Sequence, residues 1–175
     1  MIEPLYGAFR TLNEARSRRG TLELDLPERQ VRLDERGGVV AITPRKRLDS
    51  HRLIEEFMIC ANVAAAEALE ARGALCLYRI HDQPSMDKLE SLREFLHGMG
   101  HKLAQGALKP SDFTGILDRV RGRPEAAVIS EVILRSQAQA SYDPENIGHF
   151  GLALRRYAHF TSPIRRYADL RSEER

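Results

Sequence analysis

Hydrophobic side chains recur every three or four positions over residues 1–20 and again over residues 50–71. This spacing places them on one face of a helix, so each stretch predicts an amphipathic helix. The second stretch carries the longer stripe, which consists of Ile54, Phe57, Met58, Ala61, Ala65 and Leu69. Because its many alanines let a neighbouring element approach closely, we expect this helix at the centre of the core.

A different pattern fills residues 21–44, where hydrophobic and polar residues alternate. Alternation with a period of two predicts strands, and three such runs predict a three-strand β-meander. Residues 49–140 are mainly helical by the same reasoning, with one strand near residues 75–80. The order of elements therefore predicts a mixed α/β (α+β) domain, in which further helices pack around mixed strands.

The segment His159–Asp169 predicts a strand end that turns into a helix. Ser162 is a suitable N-cap, and Pro163 suits the first helical position because its missing N–H would have no partner there. The next free amides carry the positive end of the helix dipole, and Arg165 and Arg166 add two permanent charges with fork-shaped donors. This combination favours an anion, and a phosphodiester is the natural guest.

Upstream of this turn, a period-2 strand would leave a polar and partly aromatic wall, with Tyr157, His159 and Thr161 on one face and Ala158 and Phe160 on the other. A purely structural interpretation competes with the phosphate site. Arg165 and Asp169 lie four positions apart and could pair on the helix, while Arg166 could be a solvated surface charge.

The length and composition indicate a single globular domain. It has 175 residues, a formal net charge of +2, and neither a long apolar run nor a leader pattern in its first 20 residues, so we expect no membrane contact and a cytoplasmic location. A charge of +2 does not by itself indicate nucleic-acid binding. Residues 151–175 nevertheless hold six arginines against three acidic residues, a modest local clustering.

Three separated segments carry a resemblance to a known family. They are DSHRLIEEFMICANVAAA at 49–66, YRIHDQPS at 78–85, and ASYDPENIGHFGLALRRYAHFTSPIRRYADL at 140–170. In this order they resemble the ribonuclease II/ribonuclease R exoribonucleases, and they are closer to the ribonuclease R branch. The resemblance identifies residues 1–175 as the C-terminal portion of an RNB-type catalytic domain, with a helix at 1–20, the meander at 21–44, a mainly helical part at 49–140, and the signature strands and arginine turn at 141–170.

The resemblance implies hydrolysis of single-stranded RNA from the 3′ end, with release of nucleoside 5′-monophosphates. In the family, Mg²⁺ is held by an aspartate cluster near the start of the catalytic domain, and no such spacing occurs in this chain. We therefore expect no metal ligands among its own residues and little activity from the chain alone. The expected partners are single-stranded RNA, the N-terminal half of the catalytic domain, and flanking RNA-binding domains.

Carried over by position, Arg165 is the predicted catalytic contact to the scissile phosphate. The predicted RNA-binding residues are Thr161, Ser162, Arg166, Tyr157, His159, Glu55, Glu56, Asn146, His149 and Tyr142. One of Glu55 and Glu56 is expected to recognise the ribose end, and the sequence leaves open which. Structural roles in packing and turns compete for Tyr142, Asn146 and His149. A non-catalytic RNA-binding or regulatory module, or a truncated product without independent function, is the alternative to the enzyme fragment.

Overall fold

The computed structural model describes residues 2–24, 29–45, 47–163 and 166 of the chain. Helices and short strands follow one another along these ranges in the order α1 (Ile2–Arg19), β1 (Arg29–Leu33), β2 (Val39–Pro44), α2 (Asp49–Ala71), β3 (Tyr78–Ile80), α3 (Met86–Gly98), α4 (Pro110–Val120), α5 (Ala126–Ser136) and β4 (Ser141–Asp143). The mixed α/β class that the hydrophobic pattern predicted is confirmed.

The larger core lies between α3, α4 and α5. Each helix supplies side chains at helical spacing, and the most deeply buried of them, with at most 1% exposure, are Leu92, Leu96, Phe113, Ile116, Val120, Ile129 and Ile133. The Asp112 carboxylate accepts a hydrogen bond of 2.7 Å from the Lys109 N–H, which fixes the start of α4. This three-helix layer forms the platform beneath the C-terminal loops.

The long helix α2 spans 23 residues. The predicted inward stripe is wrong, because none of its six residues is buried and Ile54 is 57% exposed. The helix also contributes no residue to the main core, where it was expected. Its buried positions are Leu53, Glu56, Ile59, Asn62 and Ala66, which recur at helical spacing along one face. Two of these five are polar, and Asn62 is only 1% exposed. A buried polar group costs free energy unless it is hydrogen-bonded, so this face must meet polar partners.

The predicted three-strand meander is not found in the described residues. β1 and β2 form a two-stranded antiparallel hairpin in which Val31 is paired with Ile42. Residues 21–24 are not a strand, and residues 25–28 lie outside the described ranges. Leu22 and Leu24 instead pack against the core of α3, α4 and α5, because burial there outweighs the alternating pattern.

β3 and β4 form a second antiparallel pair, with Tyr78 opposite Asp143 and Ile80 opposite Ser141. An isolated antiparallel bridge joins Tyr78 to Ala158, and the Arg79 N–H donates to the Tyr157 carbonyl at 2.8 Å. These contacts hold the segment after β4 against α2, where Ala66, Tyr78 and Ala158 form a small second core.

Candidate nucleic-acid interface

The loop at 157–163 is held in place by one side chain of α2. The Asn62 carboxamide oxygen accepts hydrogen bonds from the Phe160 N–H at 2.8 Å and the Thr161 N–H at 3.0 Å. Its nitrogen donates to the Tyr157 hydroxyl at 3.1 Å. Three of the four hydrogen-bonding positions of this amide are thereby used, which explains how so polar a residue is buried.

The loop is not the regular strand that its sequence predicted. It contains one isolated bridge at Ala158; Tyr157 is buried, and Phe160 is 63% exposed. Ser162 has a φ of +57°, which is the left-handed region and differs from the extended conformation of an ordinary N-cap, so the prediction for its backbone is wrong. The chain then turns at Pro163, whose carbonyl accepts the Arg166 N–H at 2.8 Å.

A continuous series of aromatic rings runs beside this loop. Tyr142 and His159 lie 5.5 Å apart between ring centroids, His159 and Tyr157 lie 5.6 Å apart, and Tyr157 and His149 lie 5.3 Å apart, all edge to face. The Tyr142 hydroxyl is also 2.5 Å from Nδ1 of His159. Edge-to-face packing fixes ring orientation. The predicted residues Tyr142, His149, Tyr157 and His159 therefore lie together.

Arg79 covers the outer end of the series, with its guanidinium carbon 4.7 Å from the centroid of the Tyr142 ring. At the inner end, the His81 ring lies 5.0 Å from His149 and 6.2 Å from Phe150, which in turn contacts Phe113 of the main core. The series thus joins the exposed edge of the second sheet to the three-helix platform.

The two inner histidines, His81 and His149, are neutral and form hydrogen bonds to backbone groups. His81 Nδ1 accepts from the Gly151 N–H at 2.9 Å, and its Nε2 lies 2.9 Å from the Ala138 carbonyl, to which it must donate. Burial lowers the pKa of His81. Burial, followed by repulsion from His81 and Arg79, lowers the pKa of His149 to about 4.

Asn146 and His149 shape the turn after β4. The Asn146 side-chain oxygen accepts from the Gly148 N–H at 2.9 Å, and His149 Nδ1 accepts from the Leu152 N–H at 3.3 Å. Such side-chain to backbone bonds are typical of Asx-type turns. Both side chains therefore have local structural partners in addition to any contact with a ligand.

The two adjacent glutamates of α2 differ in exposure. Glu56 is buried, and its carboxylate accepts from Arg16 Nη1 at 2.6 Å. The side chain of Glu55 is 37% exposed, lies 3.3 Å from the same Arg16 nitrogen, and also pairs with Arg47. Glu23 completes the group by pairing with Arg16 Nε. Both glutamates thus pair with arginines that lie outside α2.

Arg16 and Arg19 were not predicted to face inward, because basic residues at the end of a helix ordinarily complement its dipole from solvent. Burial lowers the pKa of Arg16, but the hydrogen bonds and charges of Glu23 and Glu56 outweigh this and raise it. Arg19 Nε donates to the Leu152 carbonyl at 3.0 Å and so ties α1 to the loop after β4.

Four polar side-chain atoms are buried without a hydrogen-bond partner in the part of the chain that the structure describes. Thr161 Oγ1 and Arg166 Nη1 lie at the loop and the turn that follows it, and the other two are Arg19 Nη2 and Gln137 Oε1. An unsatisfied buried donor is costly by about 1–3 kcal/mol, so such atoms mark places where a further partner would be favourable. Thr161 and Arg166 were both predicted RNA contacts. Arg165, the predicted catalytic residue, lies outside the described residues.

The residues that the structure describes contain no group of three or more His, Cys, Asp or Glu side chains arranged to hold a metal ion. Among these residues, therefore, no side-chain group fits Mg²⁺. Within the same residues, no helix is both long enough and apolar enough to cross a membrane.

Sequence and fold comparisons agree on one family. Residues 1–173 match the RNB domain. The ribonuclease R of Aquifex aeolicus is 47% identical over 171 residues, which cover 97% of this chain and 24% of that protein. This chain thus spans about a quarter of that relative.

Two solved structures show the same fold. Mycoplasma genitalium RNase R in complex with ribose methylated single-stranded RNA is 28% identical, with a TM-score of 0.89 over 97% of this chain and 27% of the other. Yeast Ssd1, described as a pseudonuclease, is 26% identical with a TM-score of 0.60 over 71% of this chain and 16% of the other.

Proposed function

The chain belongs to the RNB domain family, and from this premise we propose that it is the C-terminal portion of the catalytic domain of a 3′-to-5′ exoribonuclease. The substrate of the whole protein is single-stranded RNA in the cytoplasm, and the products are nucleoside 5′-monophosphates. Its similarity to ribonuclease R supports this proposal. The portion described here supplies contacts to RNA, and the chain alone is inactive.

One observation carries the proposal most directly. Thr161 Oγ1 and Arg166 Nη1 are buried without partners at the loop that follows the aromatic series. A phosphodiester offers acceptor oxygens to both, and a guanidinium is the donor best shaped for a phosphate. The left-handed backbone conformation of Ser162 and the turn at Pro163 connect Thr161 to Arg166, so both groups belong to one short turn.

The roles follow from these positions. Arg165 contacts the scissile phosphate and stabilises the charge that develops on its oxygens, while Arg166, Ser162 and Thr161 bind backbone phosphate. Tyr157 and His159 line the channel, and Tyr142, Asn146 and His149 hold its turn. Because its carboxylate is the more exposed of the pair, Glu55 is the glutamate that meets the ribose, whereas Glu56 neutralises Arg16.

Mg²⁺ would be bound by aspartates in the preceding half of the catalytic domain, since no group of side chains among the described residues fits it. When bound there, it supplies an activated water and neutralises phosphate charge. The residues of this chain contribute orientation of the RNA end and donors to its phosphate.

The test is a chimera of the Aquifex aeolicus ribonuclease R in which this chain replaces the matching 171 residues. Arg165→Ala should lower the single-turnover rate about a hundredfold or more with little change in RNA affinity, because a donor aimed at developing charge acts on the transition state. Arg165→Lys should restore only part, since an ammonium cannot form the bidentate fork. Arg166→Ala is the matched control and should weaken binding while sparing turnover.

Equal losses of turnover for the two arginines, or normal cleavage by Arg165→Ala, would contradict the assignment. A second candidate function is a non-catalytic RNA-binding module, which the similarity to a pseudonuclease favours. That function predicts a wild-type chimera that binds RNA and releases no mononucleotide. Mg²⁺-dependent shortening of labelled RNA by the isolated chain would contradict its proposed inactivity.

A further inference from the structure

Resting on the proposed function, we propose that Asn62 is a positioning residue, which fixes the loop before the arginine turn through two backbone amides and one channel tyrosine. Asn62 lies on the buried face of α2 with Ile59 and Ala66, where an apolar residue would be the ordinary choice. A carboxamide with 1% exposure at this position therefore has a specific task.

The first part of that task is to bend the backbone. One oxygen accepts two successive amide hydrogens, from Phe160 at 2.8 Å and from Thr161 at 3.0 Å. In an extended strand, successive N–H groups point in opposite directions, so both can reach one acceptor only where the chain curls around it. The next residue, Ser162, has a φ of +57°, which continues this curl.

The second part is to orient Tyr157. The Asn62 nitrogen holds the tyrosine hydroxyl at 3.1 Å, while the ring packs edge to face between His149 and His159. One side chain thus joins the channel wall to the loop that bears Thr161 and leads to Arg166. These bonds cross 95 to 99 residues of sequence, so no local interaction can replace them.

Loss of the Asn62 hydrogen bonds should therefore lower the turnover rate much more than the affinity for RNA. A misplacement of about 1 Å in a group that contacts the reacting phosphate can cost about a hundredfold in rate. RNA binding, in contrast, depends on many contacts along the channel and should change little. Asn62 acts through the loop and does not itself touch the substrate.

The experiment uses the same chimera with Asn62→Leu, Asn62→Asp and Gln137→Leu. Asn62→Leu keeps the size and removes every hydrogen bond, so kcat should fall about a hundredfold with KM little changed. Asn62→Asp keeps an oxygen for the two amides and should recover part of this loss. Gln137 is the matched control, because it is also a buried carboxamide and its nitrogen donates to Ile133 O and Ser136 Oγ, away from the loop.

Gln137→Leu should lower the melting temperature and leave kcat near the wild-type value. If Asn62→Leu does not fold, partial activity of Asn62→Asp with an unchanged KM carries the same information. Wild-type kcat in Asn62→Leu, or equal kcat losses in the Asn62 and Gln137 variants, would overturn the inference alone. An inactive wild-type chimera would overturn the proposed function and the inference together.

Discussion

The buried ion pair between Arg16 and Glu56 should matter far more for stability than the adjacent pair with Glu55. The side chains of Arg16 and Glu56 are 11% and 7% exposed, whereas that of Glu55 is 37% exposed. Breaking a buried pair by removing one partner costs about 3–5 kcal/mol, because the remaining charge is left without compensation. An exposed pair contributes about 0.2–1 kcal/mol.

The matched variants are Glu56→Ala and Glu55→Ala, which make the same change at consecutive positions of α2. Arg16 keeps Glu23 and Glu55 when Glu56 is removed, so the expected loss lies near the lower limit, about 3 kcal/mol. For a chain of this size that loss lowers Tm by about 6–12 °C. Glu55→Ala should lower Tm by no more than about 2–4 °C, the effect of about 1 kcal/mol.

Urea and thermal unfolding of each variant measure this difference. A double variant that also carries Arg16→Met should lose less than the sum of the single losses, because no charge then remains buried alone. In the chimera, Glu55→Ala should weaken RNA affinity if its carboxylate meets the ribose. Equal destabilisation by the two alanine variants would refute the argument from burial.

Three further predictions concern His149, Gly148 and the dependence of RNA affinity on salt concentration. The pKa of His149 is lowered from 6.5 to about 4, so between these pH values the unfolded chain binds a proton that the folded chain does not. The free energy of unfolding should therefore fall by on the order of 3 kcal/mol as pH drops through this window. In His149→Gln, the free energy of unfolding obtained from urea titrations should depend less on pH over the same window. Gly148→Ala should destabilise the chain by about 1–3 kcal/mol more than Gly122→Ala, because both have φ near +80° but only at Gly148 would the added Cβ lie 3.0 Å from the Leu154 carbonyl; equal Tm losses would contradict this. RNA affinity of the chimera should fall with salt at a logarithmic slope of about 0.7 per phosphate neutralised, and salt-independent binding would argue against backbone contacts.

Hydrophobic periodicity predicted that α2 is a helix and that residues 49–140 are mainly helical, but it chose the wrong face of α2, whose buried residues are Leu53, Glu56, Ile59, Asn62 and Ala66. It failed at residues 21–24, where Leu22 and Leu24 bury against helices instead of pairing in a sheet. Alternation describes which side chains are apolar, and it does not say whether a second strand is available to pair.

Four of the predicted site residues lie together in the structure, but the hydrogen bonds that hold the loop beside them could not be predicted from the sequence. Tyr142, His149, Tyr157 and His159 were chosen from the resemblance, and the structure brings their rings together. Asn62 lies outside the predicted apolar stripe of α2, and the buried face that it shares also carries Glu56, so the hydrophobic pattern did not single it out. Two of its three partners are backbone amides, which leave no trace in the identity of the residues that donate them.

The wide sequence separation of these contacts also constrains the order of synthesis. Asn62 meets Thr161 across 99 residues, and Arg19 meets the Leu152 carbonyl across 133. During translation, α1 and α2 are synthesised before residues 152–161, so Arg19 and Asn62 cannot form these hydrogen bonds until that later segment has been made. The loop at 157–163 can therefore take its shape only when nearly all of this segment has been made.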